Sequence, residues 1–257
     1  MEYPLALIYF VIITFVFALG SVLGSFVNVV VYRMSVEIPV FKGRSFCPNC
    51  GKKIAFYDNI PLISYLWLGR KCRKCGEKIS GRYFFTEMTG GLLALLMFWQ
   101  YGADKSAVLA LLIAMVLLTI ALLDWDTLRI PNVLIAVFAV LAVISPWFFL
   151  GAVLKVRLIG IFSISVPMLL ANLIRRDCFG GGDIKLMAVA GFLLGWPETI
   201  LAAFIAVLMG GAAALIGYFR KEMPEKMAFG PWLCSGILIS LIWGKEILIW
   251  YFSVLGL

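Results

Sequence analysis

The chain of 257 residues contains no histidine and only 14 acidic residues. The absence of histidine excludes Ser-His-Asp and Cys-His nucleophilic sites, and it excludes any metal site with imidazole ligands. Any chemistry must therefore come from carboxylates, thiols, lysines or hydroxyls. The N-terminus also lacks the basic n-region of a signal peptide, and the first apolar run, residues 5–31, is too long for an h-region. We expect this run to be retained as a membrane span.

Charged residues are scarce as well, at 14% of the chain, whereas hydrophobic residues make up 63% and the mean hydropathy is +1.03. Soluble domains contain roughly 45–50% apolar residues. Apolar runs that approach the length needed to cross a bilayer recur along the sequence. This pattern predicts an all-α polytopic integral membrane protein with about eight transmembrane helices. Two of the runs are short, which leaves the count open by one.

Basic residues are concentrated in a polar insert that follows the first span, where residues 33–82 hold eleven of the 22 Lys and Arg residues. Cytoplasmic loops carry an excess of these residues, so the insert is expected on the cytoplasmic side. With eight alternating spans, all but four of the 22 fall at that face. The exceptions are Lys105, Lys155, Arg157 and Lys245. We interpret the net charge of +8 as a topology signal that also attracts membrane lipid, and we do not expect nucleic-acid binding.

Four cysteines in the insert form two CxxC pairs. Cys47 and Cys50 are separated by 21 residues from Cys72 and Cys75, and a glycine directly follows each pair. This spacing is typical of a tetrahedral zinc site with four thiolate ligands. A closed shell of four thiolates leaves no open coordination position. We therefore predict a structural Zn²⁺ that folds a zinc-ribbon-like cytoplasmic insert.

Two disulfides are the alternative for these four cysteines. Disulfides require an oxidising compartment, whereas the positive charge of the insert places it on the reducing side of the membrane. Cys178 and Cys234 have no CxxC partner, and we interpret both as small buried apolar residues.

Two aspartates lie at the ends of predicted spans. Asp124 ends the third apolar run, and Asp183 follows three glycines and opens the sixth. Alternating topology brings both to one membrane face, where two nearby carboxylates share a proton and act on water as base and acid. We therefore predict that Asp124 and Asp183 cut a peptide bond at the cytoplasmic face. Gly180 and Gly182 are expected to support a substrate-binding turn, because glycine permits close backbone approach and positive φ.

Other interpretations of the aspartates stay open at this point. Either residue alone could be an interfacial anchor or a helix N-cap. Asp126 competes with Asp124, although it would face a different side of a continuing helix. A non-enzymatic transporter or assembly component, with proton-carrying aspartates and an insert that docks a partner, is the alternative function. It gives no reason for the glycine-rich turn.

Five motifs follow one another along the chain. They are residues 24–33 (GSFVNVVVYR), the four-cysteine insert, Asp124 six residues before Ile130-Pro131, Gly180-x-Gly182-Asp183, and Phe229-Gly-Pro231. In this order they resemble the type IV prepilin peptidases, a family of membrane aspartic proteases with a GxGD motif. Asn132 departs from that family, which often has aspartate there. The implied domains are a first transmembrane helix (1–31), a cytoplasmic zinc-binding insert (32–86) and a transmembrane peptidase core (87–257).

The resemblance implies that a prepilin or pseudopilin loses its basic leader peptide at the cytoplasmic face of the bacterial inner membrane. It also implies N-methylation of the new N-terminus with S-adenosylmethionine, an activity that the family links to the N-terminal region. A peptidase without methyltransferase activity stays open. Gly24, Asn28 and Arg33 are candidate cofactor contacts, although Asn28 could equally hold a neighbouring helix. Glu87 is expected to pair with Arg82 or Arg33.

Overall fold

The computed structural model describes residues 3–41, 43–149, 153–175, 178–220 and 227–256. Within these ranges the regular secondary structure is helical, and no β-strand is formed. The helices are α1 (Tyr3–Ser35), α2 (Ile63–Trp67), α3 (Gly81–Tyr101), α4 (Lys105–Thr127), α5 (Asn132–Ile144), α6 (Leu154–Ile174), α7 (Gly181–Leu194), α8 (Trp196–Arg220) and α9 (Gly230–Val254). The chain forms two compact units, Met1–Leu111 and Leu112–Leu257. The predicted all-α fold is confirmed.

Five of these helices are long and apolar enough to cross a membrane: α1, α4, α6, α8 and α9. The other three predicted spans correspond to α3, α5 and α7. Helices α5 and α7 have 13 and 14 residues, fewer than the roughly 20 needed for a straight crossing. Helix α3 begins inside the polar insert. The polytopic character is therefore confirmed, whereas the number of crossings stays a prediction.

The first unit is organised by close packing of α1 against α3. Gly20 and Gly24 of α1 lie against Gly90 of α3, so closely that a Cβ atom on Gly24 would lie 2.7 Å from the Thr86 carbonyl oxygen. Small residues let transmembrane helices approach in this way. Gly24, a candidate cofactor contact from the sequence, is thus a residue of the helix interface.

The second unit uses the same device. Gly160 of α6 packs against Gly191 of α7, and Gly236 of α9 packs against Ala202 of α8, each without room for a Cβ atom on the glycine. Backbones in contact fix the relative positions of these helices tightly. This matters because α7 and α9 both begin at the candidate active site.

Arg157, one of the exceptions to the charge distribution, has a structural role in α6. Its side chain is only 3% exposed. The guanidinium donates to the backbone oxygens of Phe192 (3.3 Å) and Leu193 (3.2 Å) and to the Ser145 hydroxyl (2.7 Å). Those carbonyls lie in the last turn of α7, where the helix dipole favours a positive charge. Arg157 therefore caps α7.

Candidate active site

Asp124 lies in the last turn of α4, which ends at Thr127, and the chain then turns at Leu128 with φ 53°. Its side chain is only 6% exposed. Asp126, two residues further on, is exposed. The structure thus distinguishes the two candidates for the first aspartate of the pair, because Asp124 is buried and Asp126 is not.

Asp183 lies in the first turn of α7, which begins at Gly181. The N-terminus of a helix favours a negative charge. The side chain is 9% exposed, and its buried Oδ1 has no hydrogen-bond partner among the described residues. One carboxylate oxygen is therefore available for a water molecule or a substrate.

The glycines before Asp183 allow close approach, but the expected positive φ is wrong. Gly180 has φ −65°, and neither Gly181 nor Gly182 has a positive φ. A Cβ atom on Gly182 would lie 2.8 Å from Cβ of Ile130, and one on Gly180 would lie 3.1 Å from Asp183 Oδ2. A Cβ atom on Gly181 would contact nothing within 4 Å. Lack of space, rather than an unusual backbone conformation, therefore requires glycine at position 182, and a side chain at position 180 would make a tight contact with Asp183.

The segment before α7 is held by Asn172, a residue that the sequence did not single out. The Asn172 side chain donates to the backbone oxygen of Phe179 and accepts from its backbone N–H, both at 2.8 Å. The ring of Phe179 also packs against the ring of Phe229, with centroids 6.2 Å apart. These contacts tie the glycine turn to the end of α6 and to the residue that precedes α9.

The start of α9 completes the site. The backbone N–H of Gly230 donates to Asp124 Oδ2 at 2.9 Å. A Cβ atom on Gly230 would lie 2.6 Å from the same oxygen. The Phe229-Gly-Pro231 motif, known from the sequence only as a resemblance, therefore places a backbone donor against Asp124.

Asp124 and Asp183 lie within electrostatic range of each other. Two carboxylates in this relationship do not readily ionise together. Cys234 of α9 is 3% exposed and lies within electrostatic range of both aspartates. The expectation of a buried cysteine is confirmed at Cys234, whereas it is wrong for Cys178, which is exposed.

Asn132, the departure from the family pattern, lies at the start of α5 beside α7. Its side-chain oxygen accepts a hydrogen bond of 2.9 Å from the Lys185 ammonium. Lys185 follows Asp183 by two residues. Asn132 thus forms a hydrogen bond with Lys185, whereas an aspartate at this position would form an ion pair with it.

The four cysteines of the insert come together in the first unit. Their sulfur atoms all lie within 4.8 Å of one another, and the Cys47 and Cys75 sulfurs are 3.8 Å apart. A tetrahedral zinc ion with Zn–S distances of about 2.3 Å separates its ligand sulfurs by about 3.8 Å. All four are free thiols rather than disulfides. The donor set and its spacing therefore fit a zinc ion.

Each CxxC pair forms a turn that presents its sulfurs. Gly51 and Gly76 have φ of 66° and 75°, and their N–H groups donate to the carbonyls of Cys47 and Cys72, both at 2.9 Å. Glycine adopts this left-handed conformation without strain. The glycine after each pair, noted in the sequence, thus closes the turn.

The four sulfurs compete for protons. Backbone N–H groups of Cys75 and Lys74 lower the pKa of the Cys72 thiol to about 7. A backbone hydrogen bond from Glu77 acts in the same direction on Cys75, but desolvation and the neighbouring thiols outweigh it and raise the pKa of Cys75 to about 11. Four thiolates so close together require a cation to balance their charge.

A cavity of about 500 Å³ lies between α1, α3 and the insert, all within the first unit. Glu87 of α3 contributes to its wall and is 8% exposed. The carboxylate accepts a 2.7 Å hydrogen bond from the Leu62 N–H and a further one from the Ser25 hydroxyl. The expected pairing of Glu87 with Arg82 or Arg33 is therefore wrong.

Comparison with known proteins agrees with this architecture. The Bacterial Peptidase A24 N-terminal domain matches residues 18–101, and the Type IV leader peptidase family matches residues 111–215. No solved structure matches the chain.

The chain is similar to curated proteins that are named prepilin leader peptidase/N-methyltransferase, among them three from Vibrio and Pseudomonas species. The Vibrio cholerae serotype O1 protein is 35% identical over 86% of this chain and 91% of its own length. The Pseudomonas aeruginosa protein is 32% identical over 99% and 97%, and the Pseudomonas putida protein is 30% identical over 95% of both chains. These matches favour a peptidase over a transporter or assembly component. The chain belongs to the type IV prepilin leader peptidase family.

Proposed function

We propose that the protein cleaves the basic leader peptide from type IV prepilins or pseudopilins, with Asp124 and Asp183 as its catalytic dyad. The observation that carries this proposal is the pair of buried carboxylates, from the end of α4 and the start of α7, within electrostatic range of each other. The names of the similar proteins supply the substrate class. The positive charge of the insert supports a cytoplasmic site in the inner membrane of a bacterium.

The dyad would activate a water molecule without histidine. One carboxylate accepts a proton from the water molecule while the water oxygen attacks the carbonyl carbon of the scissile bond. The other carboxyl group donates its proton to the carbonyl oxygen, and proton transfer to the leaving nitrogen then completes cleavage. Gly230 holds Asp124 in one orientation. The unpaired Oδ1 of Asp183 is available to the substrate or the water.

The four cysteines would hold a structural Zn²⁺ that stabilises the insert. A closed shell of four thiolates has no vacant position for a substrate, so the metal would contribute to folding and not to cleavage. Its binding free energy becomes folding free energy for a segment with little apolar core of its own.

A second activity, N-methylation of the new N-terminus with S-adenosylmethionine, is proposed from the names of the relatives. When bound, this cofactor supplies an electrophilic methyl group on a sulfonium. The cavity in the first unit fits such a ligand, since binding cavities span roughly 300–1,000 Å³ and this one measures about 500 Å³ with a buried carboxylate in its wall. Ser25 and Glu87 are the residues that would face the cation.

Two of the earlier cofactor candidates have structural contacts instead. Asn28 donates to the Tyr83 carbonyl on α3 at 3.3 Å, which favours its interpretation as a helix-holding residue. Arg33 donates to the carbonyls of Val40 at 2.6 Å and Gly43 at 3.1 Å in the loop after α1. Both residues still line the cavity, so their side chains shape it.

The peptidase proposal is tested by cleavage of a prepilin-like peptide with the detergent-solubilised protein. Asp124→Asn and Asp183→Asn are each expected to abolish cleavage, because neither variant retains a pair of ionisable carboxyl groups. Asp126→Asn is the matched control, since it makes the same change at an exposed residue two positions away. It should cleave like the wild type.

Thermal unfolding must show that all three variants stay folded. Cleavage that survives in both Asp124→Asn and Asp183→Asn would refute the dyad. Loss in Asp126→Asn alone would transfer the first catalytic role to that residue.

A further inference from the structure

The cavity of the first unit contains a buried acidic residue that the peptidase mechanism does not use. Glu87 lies in its wall and is 8% exposed. An adjacent cavity of about 560 Å³ also has Ser25 in its lining, but it has no acidic residue among its described lining residues. Asp58 and Glu77 also line the first cavity, but Glu87 alone of the three is buried, so a buried carboxylate distinguishes this cavity from its neighbour.

The backbone of the insert is strained where it meets this carboxylate. Leu62, whose N–H donates to Glu87 at 2.7 Å, has φ 62° and ψ −50°. A non-glycine residue rarely adopts such a conformation, and strain of this kind concentrates at binding and catalytic sites. The bond holds one Glu87 oxygen at a fixed place in the cavity wall.

Of the basic residues that line the cavity, the two arginines interact elsewhere. Arg73 pairs with Asp58 at 2.6 Å, and Arg33 donates to the loop carbonyls. No Lys or Arg is among the hydrogen-bond partners of Glu87 within the part of the chain that the structure describes. A buried carboxylate that faces a cavity without a cationic partner is costly, and a bound cation would remove that cost.

We propose that this cavity binds an organic cation and that Glu87 is its counter-charge. The inference rests on the proposed methyl transfer, which involves two cations of this kind. One is the sulfonium of S-adenosylmethionine, and the other is the ammonium of the newly exposed N-terminus. Both present a positive centre that a fixed carboxylate recognises by the same electrostatic contact.

Binding measurements on the full-length, zinc-loaded wild type and Glu87→Gln separate these sources. The glutamine keeps an oxygen for the Leu62 N–H and removes only the charge. The first pair of ligands is S-adenosylmethionine and S-adenosylhomocysteine, its neutral thioether. The second pair is a processed pilin peptide with a free N-terminus and the same peptide after N-acetylation.

We expect Glu87→Gln to weaken the charged member of one pair by at least about tenfold and to leave the neutral member unchanged. A selective loss for S-adenosylmethionine identifies the sulfonium as the bound cation. A selective loss for the free N-terminus identifies the ammonium. Glu37→Gln, an equal change of charge at an exposed residue outside the cavity, should bind all four ligands like the wild type.

The proposal is overturned if Glu87→Gln retains its zinc and its prepilin cleavage yet binds all four ligands like the wild type. If this variant fails to fold, binding to the wild type alone tests the proposal. Equal affinity of the wild type for the charged and neutral members of both pairs would refute the role of Glu87 as a counter-charge. Peptide cleavage is measured separately. A wild type that binds the cation but cleaves no prepilin would contradict the peptidase proposal and leave this one standing.

Discussion

The backbone N–H of Gly230 donates a 2.9 Å hydrogen bond to Asp124 Oδ2, across a sequence separation of 106 residues. The bond joins the start of α9 to the end of α4 and fixes the orientation of one carboxylate of the candidate dyad. No side chain larger than hydrogen fits at position 230, because a Cβ atom there would lie within 3.0 Å of three atoms of Asp124.

Replacement of Gly230 by alanine should therefore impair cleavage through Asp124. The added methyl group would displace the carboxylate, and a displacement of about 1 Å can cost about 100-fold in rate. We expect kcat for a prepilin-like peptide to fall by about that factor, with KM little changed because the substrate-binding surfaces remain.

Gly211→Ala in α8 is the matched control, since a Cβ atom there contacts nothing within 4 Å. It should cleave normally and unfold at the same or a slightly higher temperature, because alanine is favoured in helices by about 1 kcal/mol. A Gly230→Ala enzyme with wild-type kcat would show that this contact does not position Asp124.

Alanine at Gly182 and alanine at Gly181 should differ in their effect on kcat. Gly182→Ala would force its new methyl group against Ile130, with only 2.8 Å between the Cβ atoms, and would shift Asp183 with the turn. We expect at least about a tenfold loss of kcat. Gly181→Ala meets no neighbouring atom and should retain wild-type kcat. Equal activity in the two variants, measured on the same peptide, would mean that close packing at position 182 is irrelevant to catalysis.

Local patterns in the sequence predict part of this site well. The GxGD segment places Asp183 at a helix start, which depends on chain geometry over a few residues. The CxxC pairs predict the convergence of four sulfurs, because two such pairs at this spacing typically bind one metal ion. The positive φ expected for the glycines is wrong, since glycine serves equally well where space is short. A glycine-rich motif by itself does not tell these two causes apart.

Long-range contacts could not be predicted in the same way. The hydrogen bond between Gly230 and Asp124, and the Leu62 N–H that reaches Glu87, depend on how helices and insert pack in three dimensions. Charge alone predicts that Glu87 pairs with an arginine. One of its actual partners is a backbone N–H, which has no signature in the sequence. The role of Asn172 has no signature in the sequence either, because a single polar residue at the end of an apolar run has many possible partners.

Asn172 should be needed to position the glycine turn. Asn172→Ala would remove both hydrogen bonds to the Phe179 backbone. The loss should destabilise the protein by about 1–3 kcal/mol and reduce kcat, because the segment before Asp183 loses its anchor. Thermal unfolding and peptide cleavage measure the two effects. Ser163→Ala on the same helix is the control, since among the described residues that hydroxyl bonds only to the Gly160 carbonyl of α6. If both alanine variants cleave alike, Asn172 has no positioning role.

Removal of zinc should unfold the insert. We expect one Zn²⁺ per chain by elemental analysis of the purified protein, and we expect Cys72→Ser to lose it because three thiolates no longer close the shell. Apparent zinc binding free energies of structural sites are about 10–16 kcal/mol, so metal loss should expose the insert to proteases at residues 43–80.

Cys178→Ser is the matched control, since Cys178 is exposed and lies outside the four-sulfur cluster. It should keep its zinc and its resistance to proteolysis. A wild-type protein that contains no zinc, or a Cys72→Ser protein with an intact metal content, would rule out this site.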